Sequence, residues 1–229
     1  MSVEPQFRRW PRRLRDAALP GVLGLFIMLF GLRQTVAALI LVPENRTIVA
    51  LQGLESPDLA ALDRLVAAEQ TSLHLHETAE GWSNLGLALA VSAGPGDTAR
   101  LAEAKRAVIQ SLIDAPANPY VWTRLAVLDQ MTGADRTEIR DSWRMSYLTG
   151  PNEERLHIPR ITIAIGIWPE LTGADRANVF TELHATWVID KSAIVDLARD
   201  SFTTNLIRAS LVNDLPSMFA FDKMMKQKN

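Results

Sequence analysis

Trp82-Ser83-Asn84-Leu85-Gly86-Leu87-Ala88-Leu89 and, 40 residues further on, Trp122-Thr123-Arg124-Leu125-Ala126-Val127-Leu128 decide how this chain folds. In both stretches an indole precedes a Leu by three positions and a small residue by four, the separation of neighbours on one helix face. The small residue lets a second helix approach closely, and the Trp fills the space beside it. Each stretch is followed by another amphipathic run, roughly Thr98–Asp114 and roughly Asp135–Leu148. Turn chemistry divides them: Gly94-Pro95-Gly96-Asp97, Ala115-Pro116-Ala117-Asn118-Pro119, Thr132-Gly133-Ala134-Asp135 and Thr149-Gly150-Pro151-Asn152. Apolar residues recur at spacings of three and four, which predicts helices rather than strands.

This arrangement resembles the tetratricopeptide repeat, a helix pair of about 34 residues opening on W-x2-L-G-x2-Y, with a later Ala and a Pro near its end. Trp82, Leu85, Gly86 and Leu89 match the opening, with Leu in place of Tyr. Ala104 and Pro116 match the later positions if six residues around Gly94–Ala99 are inserted. Trp122, Leu125, Ala126 and Pro151 form a second, degenerate copy, with Asp129 where a large residue is expected and Glu138 where Ala is usual. The resemblance covers about residues 78–152. It implies an all-α body of antiparallel helix pairs with a binding surface for protein partners.

The pattern extends both ways from this centre. Towards the amino end, Ser56-Pro57-Asp58 opens a helix carrying Leu59, Leu62, Leu65, Val66, Glu69 and Leu73 on one face. Towards the carboxyl end, Thr172-Gly173-Ala174-Asp175-Arg176 echoes Thr132-Gly133-Ala134-Asp135-Arg136, and both read as caps before helices. Residues 175–189 and about 191–212 read as helices turning Phe180, Leu183, Trp187, Ile194, Leu197, Phe202, Leu206 and Leu211 inward. Ile161, Ile163, Ile165 and Ile167 alternate as in a strand, but a lone strand suits no all-helical body, so a buried helix is expected there. The body from about 56 to 212 is thus six to eight antiparallel helices with Trp82, Trp122 and Leu125 buried. Pro216 is expected to stop the last helix. It leaves a tail with Leu215, Met218, Phe219, Phe221, Met224 and Met225, which docks on the chain's own last helices or on a partner or membrane surface.

Charge is distributed unevenly. Residues 1–43 hold six Arg (Arg8, Arg9, Arg12, Arg13, Arg15 and Arg33) against Glu4 and Asp16. The rest holds 24 − 6 = 18 basic and 26 − 2 = 24 acidic residues. Ala17–Val42 is an apolar run interrupted only by Arg33 and Gln34, long enough to cross a bilayer core of about 30 Å. Five Arg precede it and none lies between Arg33 and Arg46, which places the amino end in the cytoplasm and the body on the far side. Arg33 either snorkels to the outer interface or pairs with an acid on a partner membrane helix. Trp10 reads as an interfacial anchor. A cleaved signal peptide with a site at Thr35-Val36-Ala37 and a buried core helix are the competing readings. The expected organisation is a basic cytoplasmic head (1–16), a transmembrane anchor (17–42), a connector (43–56), the repeat domain (57–212) and the apolar tail (213–229).

Chemistry is not apparent. The chain has no Cys, so it has neither thiolate nucleophile nor disulfide nor thiolate metal site. Its net charge of −2 argues against general nucleic-acid binding. No phosphate-loop, dinucleotide, nucleophile-elbow or zincin motif occurs. His74 and His76 are two positions apart and face different ways on a helix; His157 and His184 stand alone. Glu77 with Glu80, and Glu153 with Glu154, sit at helix amino ends where carboxylates complement the dipole. Trp82, Trp122, Trp143, Trp168 and Trp187 fall at core spacing, so packing is preferred over sugar stacking. No catalytic, cofactor or metal residue is nominated, and the expectation is a protein that is not an enzyme and carries no cofactor.

Basic head, single anchor and repeat body together resemble the small VpsP-type proteins encoded with bacterial exopolysaccharide biosynthesis genes. The shared marks are Pro119, Trp122, Leu125, Ala126, Ser146, Gly150, Pro151, Arg160 and Trp168. The resemblance implies a non-enzymatic inner-membrane scaffold of polysaccharide assembly or export, with its body in the periplasm. The alternatives are a periplasmic polysaccharide-binding or -modifying protein, and an assembly factor for another inner-membrane complex. Buried Trp side chains would favour a scaffold, and a solvent-facing row of them a sugar-binding protein.

Overall fold

The computed structural model describes residues 12–53, 55 and 57–228, with side chains from Pro20 onward. Arg8, Arg9 and Trp10 of the basic head lie outside the described residues. Within them the chain is all-α, with no strand.

Helix α1 (Arg12–Leu41) passes through a 3-10 turn (Val42–Glu44) into α2 (Asn45–Gln52). The stretch expected to be a connector is therefore largely helical. Pro43 stands in the first turn of the 3-10 segment, where a missing N–H costs nothing. Antiparallel helices follow: α3 (Leu59–Leu75) packs on α4 (Ala79–Ser92), α4 on α5 (Thr98–Asp114), α5 on α6 (Pro119–Met131) and α6 on α7 (Arg136–Thr149). Asp58, Thr78, Asp97, Asn118 and Asp135 cap the amino ends of α3 to α7 through their side chains.

The small residue of the first repeat acts as its position predicts. A Cβ on Gly86 would stand 2.6 Å from Val108 Cγ2 and 3.1 Å from the Ala104 carbonyl, so the absent side chain sets the α4–α5 distance. Ala126, its counterpart, is fully buried against the second half of the body. Asp129 does not fill the place of a large apolar residue. It is buried, pairs with Lys105 of α5 at 2.7 Å and accepts from Ser142 of α7 at 2.9 Å, tying the first helix pair to the second.

Beyond α7 lie α8 (His157–Gly166), a 3-10 turn (Trp168–Glu170), α9 (Gly173–Ile189), α10 (Lys191–Leu197), α11 (Ser201–Ser210) and α12 (Leu215–Lys228). The alternating Ile segment is indeed helix α8. Ile161 and Ile163 are buried and Ile165 is half-buried, Thr162 and Gly166 form the exposed face, and Ile167 is the buried cap residue after the helix. The helix expected over 191–212 is two helices, because Asp200 caps a fresh amino end by accepting from the Thr203 N–H at 2.8 Å. Nine described α-helices therefore stand between residues 56 and 212, more than the six to eight expected.

The two Thr-Gly-Ala-Asp-Arg stretches take different geometries. At the first, Thr132 ends α6, Gly133 turns with φ +71°, and Asp135 caps α7. At the second, Thr172 is itself the cap and Asp175 closes a capping box, so α9 begins three residues earlier in register than α7 does. A preceding helix that must be terminated makes the difference.

Two apolar clusters form the core. Leu62, Leu65, Leu85, Leu89, Val108 and Leu125 centre the first, spanning α2 to α6. Trp143, Ile161, Leu183, Trp187, Ile194 and Phe221 centre the second, spanning α6 to α12. Helix α6 belongs to both: Val121, Leu125 and Leu128 face the first and Ala126 the second. The tail is part of the second cluster. Pro216 lies in the opening turn of α12 instead of stopping a helix, with Asp214 accepting from the Ser217 N–H at 3.2 Å. Phe221 is fully buried, edge-on to Trp187 with centroids 5.9 Å apart. Lys228 donates to Asp196 at 2.7 Å and Arg208 to Asp222 at 2.8 Å. Of the two docking sites expected for the tail, it occupies the chain's own last helices.

Candidate functional site

The junction between α1 and the body is the first candidate. Every residue from Pro20 to Phe30 is exposed, and from Gly31 onward α1 begins to pack against α3. Ala37 is buried there, its carbonyl accepting from Ser72 Oγ at 3.1 Å. Arg33 Nε donates to the Leu75 carbonyl at 2.9 Å, and a second guanidinium nitrogen lies 3.5 Å from the His74 carbonyl. Those carbonyls belong to the last turn of α3, where no intrahelical donor exists and a cation complements the helix dipole. The partner of Arg33 is thus a helix end in its own chain and not an acid, a contact compatible with the snorkelling role expected of it. His76 is the extended cap residue after α3, edge-on to Phe30 at 6.3 Å, while His74 stays in the last turn. The face of α1 turned away from α3 stays apolar beyond Arg33, with Val36, Leu39 and Val42 exposed, while Ile40 and Leu41, assigned to the span from sequence, are half-buried beside the body.

The second candidate is a buried polar network joining α6, α7, α8 and α9. Arg160 is 0% exposed. Its Nε donates to Ser146 Oγ at 2.9 Å, one terminal nitrogen to the Gly150 carbonyl at 2.8 Å, and the other to Glu182 Oε1 at 3.2 Å. Ser146 Oγ donates in turn to the Pro119 carbonyl at 3.0 Å, and the Trp143 indole N–H donates to the Arg160 carbonyl at 3.0 Å. A Cβ on Gly150 would stand 2.7 Å from Pro119 Cγ, so only Gly lets its carbonyl come this close. Burial pushes the Glu182 carboxyl up to about 7, with Arg160 pulling the other way. Burial, then the charge of Arg160, hold His157 below its ordinary value. Thr186 donates its hydroxyl to the Glu182 carbonyl at 2.7 Å, so the His157 Nδ1 lying 3.3 Å from Thr186 Oγ1 carries the proton. Pro119, Ser146, Gly150 and Arg160, picked out in sequence by resemblance, meet in this one network. Glu182, Thr123 and Thr186 complete it and were not anticipated. The polar positions Glu182 and Thr186, four apart beside Val179, Leu183 and Trp187, were the available signal.

The remaining residues weighed in sequence are dispersed. Glu80 lies in the first turn of α4, Glu77 is exposed just before it, and Glu154 opens a 3-10 turn (Glu154–Leu156). Glu153 accepts from the Tyr120 hydroxyl at 2.6 Å, and His184 lies 3.7 Å from Asp214. Among the described residues no group of three or more His, Asp or Glu has metal-binding geometry. Trp143 and Trp187 are 1% exposed. Trp82 and Trp122 are half-buried, not buried as expected. The Trp122 N–H reaches out to the Pro116 carbonyl at 2.7 Å, which holds its ring at the surface. Trp168 is also half-buried, covered by Phe180 at 5.8 Å and Phe202 at 6.2 Å. Phe202, expected inside, is 46% exposed, because the new helix start at Asp200 rotates it outward.

Neither the family models nor the curated proteins give a match to this chain.

Proposed function

We propose that this protein is a non-enzymatic scaffold, held by α1 in the bacterial inner membrane with its helical body in the periplasm, where it organises protein partners of exopolysaccharide assembly or export. The observation that carries the reading is α1 itself. An exposed, uncharged helical segment, Pro20–Phe30, is fixed to the body through Arg33, Ala37 and Ser72 instead of hanging on a free linker. Such a segment is stable only in an apolar surrounding, and its attachment would hold the body at a set height and tilt. The chain has one helix long and apolar enough to cross a membrane among its described residues.

The side of the membrane rests on the Arg-rich head, and the polysaccharide assignment on the resemblance of the marks around Ser146 and Arg160. The treatment of tryptophan supports a scaffold over a sugar-binding protein: no described Trp is exposed, and the buried pair is committed to the core.

The absence of Cys makes the test direct. Single-Cys variants Ile27→Cys and Leu148→Cys are treated with a membrane-impermeant maleimide in cells with a permeabilised outer membrane. The expected result is labelling at 148 and protection at 27 until detergent is added. Labelling at 148 only after lysis would reverse the orientation, and free labelling at 27 would remove the anchor. Surface-polysaccharide yield in a deletion strain, restored by the full chain but not by one lacking residues 1–42, tests the pathway.

A further inference from the structure

Where the end of α1 and α2 meet the α3–α4 pair lies a cavity of about 320 Å3, a size that admits a small molecule or one side chain. Its walls are of two kinds. Leu41, Val42 and Ile48 from the α1–α2 corner make one side apolar, and Glu69, Asn84 and Glu80 make the other polar. Glu69 is 0% exposed; its carboxylate makes no hydrogen bond of good geometry and has only the neutral Asn84 amide beside it. Glu80 stands exposed at the edge. Gly81 keeps room beside Glu69: a Cβ there would lie 3.3 Å from Oε2 and 2.9 Å from a Leu73 methyl.

An unpaired carboxylate out of water is costly, and one aimed into a cavity selects what completes it. Anions are repelled by Glu69 and Glu80. Only two carboxylates, Glu69 and Glu80, line the cavity, and among the described residues no group of three or more His, Asp or Glu could hold a metal ion. No aromatic ring lines it, so a sugar has no stacking surface, and no Lys or Arg lines it, so the protein offers no counter-ion of its own. What remains is a cation with several N–H donors on an apolar stem.

We propose that this cavity binds a primary ammonium on a short aliphatic stem, with Glu69 as its counter-ion, the Asn84 amide beside it, and Leu41, Val42 and Ile48 covering the stem. The ammonium belongs either to a free alkylamine or to a lysine side chain of a partner protein; the chemistry is the same. Because the cavity is walled by both anchor and body, occupation ties the two together.

The test uses the full chain in detergent. The 13C resonance of the Glu69 carboxyl is followed while n-butylammonium chloride is added, with n-butanol as the uncharged control and sodium chloride matching ionic strength. A saturable shift is expected with the amine alone, at least about tenfold weaker in binding for Glu69→Gln when followed on the Asn84 amide. A second arm adds Nα-acetyl-lysine N-methylamide. Saturation by it as well assigns the site to a lysine side chain, and saturation by butylammonium only assigns it to a free amine. No saturable response to either amine, an equal response to butanol, or unchanged affinity in Glu69→Gln overturns the proposal. The comparison of amine with alcohol on the unaltered chain decides even where the variant does not fold.

Discussion

Glu69 in α3 and Glu182 in α9 are buried one in each half of the body, and burial pushes both carboxyls up to about 7. Their surroundings differ. Arg160 meets Glu182 with its charge and is itself fixed by Ser146 and the Gly150 carbonyl. Glu69 has the neutral Asn84 drawing its pKa down, the like charge of Glu80 opposing that, and a cavity in front of it. The second half is organised by a charge-paired network, in which Glu182 Oε1 meets Arg160 and Oε2 has no partner, wrapped in large aromatic side chains. The first half is organised by close approach of small residues, Gly86 against Val108 and Ala104; its buried Asp129 is paired with Lys105, while Glu69 has no basic partner. The contrast teaches that equal burial has opposite meanings. In the second half the buried carboxylate is paired within the core, and in the first it is a local liability relieved by protonation and the Asn84 amide.

Removing Arg160 is the severest way to break that contrast. Arg160→Met strands Glu182 in the core and frees the Gly150 and Ser146 acceptors, so it should cost about 3–5 kcal/mol, the range for deleting one member of a buried pair. Urea unfolding of the full chain in detergent measures it. The double variant Arg160→Met/Glu182→Leu should recover part of the loss, and a single-variant cost below about 1 kcal/mol would mean the network carries no structural weight. Aromatic truncation sharpens the same comparison. Trp187→Ala should cost about 3–5 kcal/mol, as full core truncations do, and the half-buried Trp82→Ala about 1–2 kcal/mol from the smaller area it covers. Equal costs would erase the distinction between the halves.

Helix positions were legible because their ends carry unambiguous chemistry: Asp58, Asp97 and Asn118 cap where their sequence context says they should, and α5 has the very bounds read from spacing. What escaped was set by partners distant in sequence. Trp82 and Trp122 lie on the apolar stripe, yet whether a stripe residue is enclosed depends on a helix beyond it, and none covers these two fully. Ile161 to Ile167 alternate as in a strand, yet Arg160 and Ala164 join Ile161 and Ile163 on the buried side and Thr162 and Gly166 form the exposed one, a helical face that the run of Ile obscures. The break before α11 was written in Asp200 and Thr203 but masked by apolar residues on both sides. Of the polar network, four members stood out by resemblance and none by local pattern, since an Arg on an apolar helix looks solvated until its carboxylate is placed. Glu69 was visible on the inward face of α3. What sequence did not tell was that no basic residue arrives opposite it.

Acidity separates the two carboxylates next. Each titrates near 7 in the folded chain and from about 4.5 otherwise. Between those values the folded chain holds more protons than the unfolded one, so the free energy of unfolding falls as pH rises through this window. Thermal melts should therefore show greater stability near about pH 5 than near about pH 8. Glu69→Gln should gain about 1–2 kcal/mol at the upper end and flatten the profile, because a neutral amide replaces an unpaired charge. Glu182→Gln should gain nothing there, because it leaves Arg160 as the unpaired charge. A gain from both variants would show that the Arg160 pairing is not what distinguishes the halves.

The smallest effect expected is at Arg33, where anchor and first half meet. Its guanidinium serves the Leu75 and His74 carbonyls at the exposed end of α3, so its contribution is that of a solvent-accessible cap plus a dipole contact. Arg33→Ala should cost about 0.5–1 kcal/mol, and Arg33→Lys less, since an ammonium keeps the charge. Melts of the full chain in detergent resolve such a difference if the tail and the second half are unchanged. The more telling readout is depth. If the contact of Arg33 with the body marks the edge of the bilayer, Val36→Cys should react with an impermeant maleimide while Ile27→Cys stays protected. If Val36→Cys is protected too, the α1–α3 contact gives way inside a membrane, and Arg33 is then a residue of the span and not of the junction.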